Sequence, residues 1–460
     1  MHSTPAHPGF SKSFLHLFIP AAIQNLFFNL IGIFDVLMIG QLGDAPVAAY
    51  GLAGQVYFLL NLALFGISSG ASVVGAHYWG AGDRPNLHRI LGVCLLLNMA
   101  FGIGFSLMAL VFPTWLISLY TRDPAVIAMG ASYLRIIGWA YLVIPLTIAY
   151  TSLLRSTGNT RLPMLVSVVA VSLNLALDYS LIFGRLGLPA LGMRGSAAGT
   201  AIARVVECTL LLTLIYWKRL PVAASFSALF RLDWSFIRYH LHHVMVVFLN
   251  EFTWALGVNV YNAIFARLGT QPYAALNIAM TFSSLGIFYA MSVMTACGIM
   301  VGNAVGAGEK DEAYQIGRRS VWISVTGSLV CGLLLILARE PLMTLYQVSP
   351  QTRVDATGIL FIAGSLLWLR SLDGIFVVGI LRSGGDTRFA ALLDVGAEWL
   401  AGIPAVALAA FVLHLSVPLV FLAMYAESLV KNLIGLKRYR SRRWIHNLTH
   451  ASELLPVEYS

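Results

Sequence analysis

Twelve long apolar segments divide this chain, and they restrict what it can fold into more than any other feature. A helix of about 20 apolar residues is long enough to cross the hydrocarbon core of a bilayer. Hydrophobic residues make up 58% of the chain and charged residues 11%, whereas a soluble protein carries about a quarter charged residues. The pattern predicts an all-α membrane protein with twelve transmembrane helices. The alternation of about ten residues that is typical of a transmembrane β-barrel is absent from the sequence.

The net charge of +9 comes mainly from lysines and arginines in the loops. Most of these 29 residues belong to the loops on one side of the predicted membrane, the side that also holds both ends of the chain. Loops rich in lysine and arginine stay in the cytoplasm. We therefore predict a multi-pass protein of a prokaryotic inner membrane with both termini cytoplasmic, and orientation explains the charge better than nucleic-acid binding does.

The two halves of the chain repeat each other. The motif GAG at 80–82 recurs at 306–308, and LRS at 154–156 recurs at 381–383. A constant spacing of about 226 residues between several separated motifs indicates duplication. Six spans in each half make the repeat parallel, and two such lobes around a central cleft suit alternating access. We predict an N-terminal lobe with TM1–TM6 (1–219), a cytoplasmic linker (220–233), a C-terminal lobe with TM7–TM12 (234–440) and a cytoplasmic tail (441–460).

A single carboxylate, Asp35, lies in the middle of the first apolar segment. A charge at the centre of a membrane costs about 2.5–3.5 kcal/mol on insertion scales, so it is by default a relay or ion site. Gln24 shares a helix face with Asp35. The fifth segment offers Asn174 and Asp178 one helical turn apart, and we expect Thr200 of the sixth segment to lie beside them.

These side chains predict a cation-binding site in the N-terminal lobe. Carboxylate, amide and hydroxyl oxygens suit a hard cation such as Na⁺. Two close carboxylates suit a proton equally well, because repulsion between their charges favours protonation of one of them. The sequence leaves Na⁺ and H⁺ both open, and a static hydrogen-bond network is the alternative. The residues assigned to this site are Asp35, Asn174, Asp178, Thr200 and Gln24.

The second half does not repeat these acids, since Tyr261 stands at the position that corresponds to Asp35. It has acids of its own, which together with aromatic faces could receive a cationic substrate. The residues assigned to this substrate cleft are Asn250, Glu251, Trp254, Tyr261, Asp373, Asp394 and Glu398. The spacing of three residues predicts an ion pair between Arg370 and Asp373. Asp394 and Glu398 are like charges one turn apart, which is unfavourable unless one is protonated or a cation lies between them.

The motifs, in their order and spacing, resemble those of the multidrug and toxic compound extrusion (MATE) family, closest to its DinF-like group. They are FDVLMIGQLG (34–43), GAGD (80–83), LRSTGNT (154–160), LNLALDYSLIFG (173–184), GMRGSAAGTAIA (192–203), GAGE (306–309), LRSGGDT (381–387) and KNLIGLKRYRSRRW (431–444). The resemblance implies two six-helix lobes. It also implies cation-coupled export of organic, often cationic, compounds without a cofactor.

The resemblance also bears on individual residues. The archaeal and DinF-like groups place an Asp in the first span and Asn, Asp and Thr in the fifth and sixth, which match Asp35, Asn174, Asp178 and Thr200. Their first-span proline matches Pro20, which we expect to act as a bend residue. Sodium-linked, NorM-like members use a Glu in the seventh span and an Asp in the tenth. Glu251 and Asp373 lie within about one turn of those positions, so their part in coupling stays open.

Other functions find less support in the sequence. A phosphate-binding P-loop and a catalytic set of side chains are both absent, so we predict neither ATP drive nor an enzyme. The expected partners are small organic cations and the lipid bilayer, with the protein as a monomer. The main alternative is a flippase for lipid-linked or polysaccharide intermediates, which would need a more cationic cleft to hold pyrophosphate. A signalling or scaffold protein would show no substrate flux. The sequence does not name the exported compound.

Overall fold

The structure, a computed structural model, describes residues 9–344, 346 and 348–449, apart from the side chains of 28–31 and 33. Residues 1–8 of the predicted N-terminal lobe and 450–460 of the predicted tail lie outside the described residues. The described chain is helical almost throughout. Its one β-bridge, between Gly385 and Ile445, is isolated.

The helices of the first half follow one another with short connections. They are α1 (Phe10–Gly40), α2 (Asp44–Gly80), α3 (Arg84–Val111), α4 (Pro113–Ser118), α5 (Pro124–Ile137), α6 (Ile144–Ser156), α7 (Arg161–Phe183), α8 (Met193–Trp217) and the short α9 (Phe226–Leu229). A 3₁₀ turn, Ala140–Leu142, connects α5 to α6.

The second half repeats this order. Its helices are α10 (Trp234–Leu268), α11 (Thr270–Gly306), α12 (Lys310–Met343), α13 (Pro350–Gly374), α14 (Thr387–Ala397), α15 (Ile403–Ala407), α16 (Val417–Ala423) and α17 (Tyr425–Arg440). Three stretches of π-helix, in which the hydrogen bonds span five residues, interrupt or extend these helices at Ile375–Arg382, Glu398–Gly402 and Leu408–Val412.

The helices match the predicted membrane spans closely. Ten described helical stretches are long and apolar enough to cross a membrane, and α5 with α6 makes an eleventh that is bent by 44°. The bend precedes Pro145, which lacks the N–H needed to continue the helical hydrogen bonds. Helix α1, with 31 residues, occupies the place of the first predicted span and continues through Pro20.

Contacts divide the chain into two compact units. The N-terminal unit comprises Ile23–Phe248, and the C-terminal unit comprises Met1–Ala22 with Leu249–Ser460. The division therefore falls inside α1 and α10, whereas the predicted lobe boundary lies in the linker. Pro20 lies two residues before the division in α1.

Small residues explain how the start of α10 packs within the N-terminal unit. A Cβ on Gly66 would stand 3.0 Å from the Phe248 Cα, and one on Gly70 would stand 2.8 Å from the Val244 Cα. Glycines four residues apart on α2 thus let the backbone of α10 approach closely, as in other membrane helix pairs. His240 on the same stretch of α10 is buried and forms a 2.8 Å hydrogen bond with the Tyr78 hydroxyl.

In the C-terminal unit, the start of α1 packs on α11. Phe14 and Leu17 are buried in one apolar cluster with Val293 and Ala296. The end of the described chain joins this cluster too, because Trp444 is 0% exposed and its indole N–H donates to the Tyr439 carbonyl at 3.1 Å. The first residues of the predicted tail therefore pack against the unit.

The repeated motifs form tight turns between helices. Gly82 and Gly308, the last glycines of the two GAG motifs, have φ values of +74° and +81°, a conformation that glycine adopts without steric cost. Asp83 then caps α3 by accepting a hydrogen bond from the Asn86 backbone at 3.1 Å. Glycine therefore supplies the left-handed residue that ends the helix at both turns.

Candidate cation-binding site

Four of the five residues predicted to bind a cation lie together in the N-terminal unit. Asp35 is on α1, Asn174 and Asp178 are one turn apart on α7, and Thr200 is on α8. Asp35 is 4% exposed and Asp178 is 0% exposed. The three helices thus hold two carboxyl groups away from water, where an unneutralised charge is costly.

Hydrogen bonds connect these side chains. The Asn174 amide donates to Asp178 Oδ2 at 3.1 Å and lies 3.2 Å from the Thr200 hydroxyl. The carboxyl groups of Asp35 and Asp178 are close enough to share a hydrogen bond. Two carboxylates can share one only if a proton lies between them, because an ionised carboxylate has no hydrogen to donate.

Three oxygens of this cluster receive no hydrogen bond from an N–H group or a hydroxyl of the described residues. They are Oδ1 of Asp35, Oδ1 of Asn174 and Oδ1 of Asp178, and all three are buried. Buried oxygens are normally paired, so an orphaned group calls for a bound ion, a water or a functional role. The donor set of two carboxylates, an amide and a hydroxyl can accept a proton or coordinate a hard cation.

Two residues of the site were not predicted from the sequence. The Tyr50 hydroxyl on α2 donates to Asp35 Oδ2 at 3.1 Å. Gly199 on α8 faces Asp178, since a Cβ at this position would meet the carboxyl group. Only the glycine carried a signal in the sequence, because small residues in a membrane helix mark close approaches.

The structure places Gln24 in a neighbouring polar cluster. Its amide donates to the Ser167 hydroxyl at 2.8 Å, and its carbonyl oxygen accepts from Arg155. Ser167 in turn donates to Glu207 at 3.1 Å. Glu207 forms an ion pair with Arg204 at 2.7 Å, and Arg204 also attracts the Asp35 carboxylate. Gln24 therefore belongs to this second cluster, which Arg204 connects to Asp35 through charge.

The acids predicted to line a substrate cleft are mostly paired within the C-terminal unit. Glu251 forms an ion pair with the buried Arg382 at 2.6 Å. Asp394 forms one with Lys431 at 2.8 Å and accepts from the Asn250 amide at 3.0 Å. Lys431, on α17, therefore neutralises the Asp394 carboxylate, which reduces the repulsion expected between Asp394 and Glu398. Spacing along the chain does not predict this pair, and Lys431 also lies 3.9 Å from Glu427, one turn earlier on α17.

The predicted ion pair of Arg370 with Asp373 is wrong. The Arg370 guanidinium lies 3.8 Å from Glu427 on α17. Asp373 instead accepts hydrogen bonds from two neutral groups, the Ser428 hydroxyl at 2.5 Å and the Asn432 amide at 2.7 Å. Residues three apart on one helix are neighbours, but a facing helix offered each of these side chains a partner with better geometry.

The remaining residues of the predicted cleft differ in environment. Trp254 is 40% exposed, whereas Tyr261 is buried and donates its hydroxyl to Glu427 at 3.0 Å. Glu398 is buried as well, and its Oε2 has no hydrogen-bond partner in the described structure. Tyr261, which corresponds to Asp35 in the repeat, therefore donates a hydrogen bond to an acid of the C-terminal unit, Glu427.

Comparison with protein families matches the MatE family twice, over residues 20–180 and 247–407. The two matches are equal in length and confirm the internal repeat. The chain is 25% identical over 438 residues to "Probable multidrug resistance protein NorM" of Thermotoga maritima, covering 95% of this chain and 94% of that one. It is 26% identical over 406 residues to "Multidrug resistance protein MdtK" of Edwardsiella ictaluri, covering 86% of each.

A solved structure, "Outward-facing conformation of a multidrug resistance MATE family transporter of the MOP superfamily", matches with a TM-score of 0.85 and 19% identity, over 94% of this chain and 96% of that one. At this identity the likeness concerns the fold. It confirms the predicted class, an all-helical membrane protein with its helices in two lobes. Both relatives are named as multidrug resistance proteins, and the solved structure is named as a multidrug resistance transporter.

Proposed function

Because this chain belongs to the MatE family of multidrug transporters, we propose that it exports small organic compounds in exchange for a cation. The family establishes a multi-pass membrane protein that needs no cofactor. The coupling ion, the substrate and the roles of individual residues are our proposal. The proposed coupling site is the cluster of Asp35, Asn174, Asp178 and Thr200, with Tyr50 as a further donor.

One observation carries this proposal. Three buried oxygens of the predicted site receive no hydrogen bond from an N–H group or a hydroxyl of the described residues, and two of them belong to carboxyl groups that lie against each other. A static structural network would pair these atoms, because an unpartnered buried acceptor is destabilising. The arrangement is instead suited to a ligand that is present in one state of the transport cycle and absent in another.

We propose a proton as the coupling ion. The contact between the carboxyl groups of Asp35 and Asp178 is favourable when one of them is protonated and repulsive when both are ionised. We assign the proton to the Asp35–Asp178 pair as a whole, because two carboxyl groups in contact take up and release protons together. A Na⁺ ion bound by the three orphaned oxygens is the competing assignment, and the experiment below separates the two.

Coupling follows if the proton and the organic compound favour different states of the protein. Protonation removes the repulsion between Asp35 and Asp178 and so stabilises the arrangement of α1, α7 and α8 described above. Loss of the proton restores the repulsion and destabilises this arrangement. A compound that binds the deprotonated state would then be exchanged for protons by alternating access.

The buried charges favour a cationic substrate over an anionic one. Among the described residues of the C-terminal unit, five linked acids outnumber three basic groups, Arg370, Arg382 and Lys431. The acids are Glu251, Asp373, Asp394, Glu398 and Glu427. A flippase that carries a pyrophosphate-linked compound would need the opposite balance. The lysine and arginine asymmetry supports a prokaryotic inner membrane with cytoplasmic termini, and we propose a monomer.

The test is transport by purified protein in proteoliposomes, with ethidium as the probe and with pH and Na⁺ gradients imposed separately. We expect a pH gradient alone to drive export, and Asp35→Asn and Asp178→Asn each to reduce it by at least tenfold. Asp44→Asn is the matched control, since Asp44 is an exposed acid at the start of α2. Export driven by Na⁺ alone would replace the proton assignment, and full activity of both variants would refute the site. Flux of a lipid-linked pyrophosphate without ethidium export would identify a flippase.

A further inference from the structure

Glu398 differs from every other buried or half-buried acid that the structure describes in the C-terminal unit. Each of the others has at least one hydrogen-bond donor or ion-pair partner: Glu251, Asp355, Asp373, Asp386, Asp394 and Glu427. Glu398 is 1% exposed, and its Oε2 is buried without a partner. An ionised carboxylate in such a position is strongly unfavourable, whereas a neutral carboxyl is tolerated far better.

The backbone around Glu398 is also irregular. Glu398 begins the π-helical stretch Glu398–Gly402 in the middle of a membrane span. Single π-helical turns inside membrane or soluble helices occur frequently at functional sites. Gly257 on α10 faces the side chain, since a Cβ at this position would meet the Glu398 carboxyl group. The sequence thus leaves room for this carboxyl between two helices, and the described residues supply no donor to its Oε2.

Charged groups reach Glu398 from several elements. Asp394 is one turn earlier on its own span, Glu427 and Lys431 are on α17, and Arg370 is on α13. The α10 side contributes the neutral Tyr261. Lys431 is already bound to Asp394 at 2.8 Å, and Arg370 lies by Glu427.

Counting these groups shows why Glu398 has no counterion of its own among the described residues. The two basic side chains are matched by Asp394 and Glu427, and Asp373 is held by neutral donors. Glu398 is then an additional negative charge, and its nearest acids repel it. A proton neutralises this charge with no change in the packing around it.

We propose that Glu398 is a second proton-binding site, separate from the Asp35–Asp178 pair and in the other unit. The carboxylate takes a proton from water to become a neutral carboxyl, and it returns the proton to water when the local charge balance changes. Its place in a transport cycle rests on the proposed export function, whereas proton binding itself does not. The protein would then bind two protons at two sites rather than one.

The direct test is infrared difference spectroscopy of the full chain in lipid, titrated over the pH range in which it stays folded. A buried protonated carboxyl gives a C=O band distinct from that of a carboxylate. We expect Glu398→Gln to remove one such band that titrates with pH. Glu340→Gln, which removes an exposed acid at the end of α12, should leave every buried band in place.

The outcomes separate the two sites. A band lost in Glu398→Gln and kept in Asp178→Asn supports the proposal, while an unchanged Glu398→Gln spectrum overturns it. A Glu398 band that persists at every pH also overturns it, because the proton would not be exchanged. If Glu398→Gln does not fold, the unsubstituted chain is prepared with ¹³C in all its glutamates. A titrating buried C=O band that belongs to a glutamate must then move to lower frequency, and a band that stays in place overturns the proposal. Loss of no band in Asp178→Asn would refute the coupling site and leave Glu398 unaffected.

Discussion

Replacing Glu251 with glutamine should show whether this acid holds the C-terminal unit together or takes part in coupling. Its carboxylate lies 2.6 Å from the guanidinium of Arg382, and the two side chains are 12% and 4% exposed. In Glu251→Gln the buried Arg382 keeps its charge and loses its counterion. We expect the free energy of unfolding to fall, because an uncompensated charge remains in the apolar interior.

The geometry sets the size of the effect. Two unit charges about 4 Å apart attract by about 4 kcal/mol at an effective dielectric constant of about 20. Breaking a buried pair by removing one partner typically costs about 3–5 kcal/mol. The double variant Glu251→Gln, Arg382→Gln leaves no charge at this position. We expect it to recover most of the loss, so the two substitutions should be strongly non-additive.

The assay is denaturant unfolding of the purified protein in micelles, followed by ethidium export from proteoliposomes. The coupling energy between the two positions comes from the midpoints, provided that the slope stays constant. Equal stability of Glu251→Gln and the unsubstituted protein would refute the reasoning, as would a double variant no more stable than the single one. A stable double variant that has lost export would give Glu251 a coupling role.

Two further substitutions test packing at the site and at the end of the chain. Gly199→Ala should reduce cation-driven export at least tenfold, because the added methyl displaces the Asp178 carboxyl. Gly104→Ala, where nothing lies within 4 Å, should export normally; equal activity of both would contradict the proposed packing. Trp444→Ala should cost about 3–5 kcal/mol of unfolding free energy, since this indole is fully buried. Trp217→Ala replaces a side chain that is 75% exposed and should lower the free energy of unfolding far less. A similar decrease in both variants would contradict burial as the reason for the effect.

The sequence predicted the helices well because the membrane imposes a length that apolar segments must satisfy. The repeat then supplied the order of the two halves. Asn174 and Asp178 could be predicted as a pair because a spacing of four residues fixes them on one helix face. Their closeness to Asp35 depends on how α1 packs on α7, which periodicity does not determine. The prediction that Asp35 lies beside Asn174 and Asp178 rested on the oxygen atoms that these side chains offer to a cation and on the resemblance to the MATE family.

Three contacts in the structure were not predicted from the sequence, each for a physical reason. Tyr50 lies in an apolar stretch where a tyrosine usually packs or faces the interface, so its hydroxyl gave no signal. Arg155 belongs to the repeated LRS motif (154–156), and the repeat carries no information about a partner, yet the Arg155 guanidinium donates to Gln24. Asp394 and Lys431 are on different helices, and spacing along the chain carries no information about such a pair.

The division of the chain inside α1 and α10 has a consequence for how the duplication arose. Residues 10–22 of α1 pack in the unit of the second half, and residues 234–248 of α10 pack in the unit of the first half. If a six-helix precursor packed in the same way, the beginning of its first helix lay in the core of a second copy. It would have been a domain-swapped homodimer, in which each copy lent the beginning of that helix to its partner. With both halves in one chain, equivalent positions can carry different residues, as Asp35 and Tyr261 do.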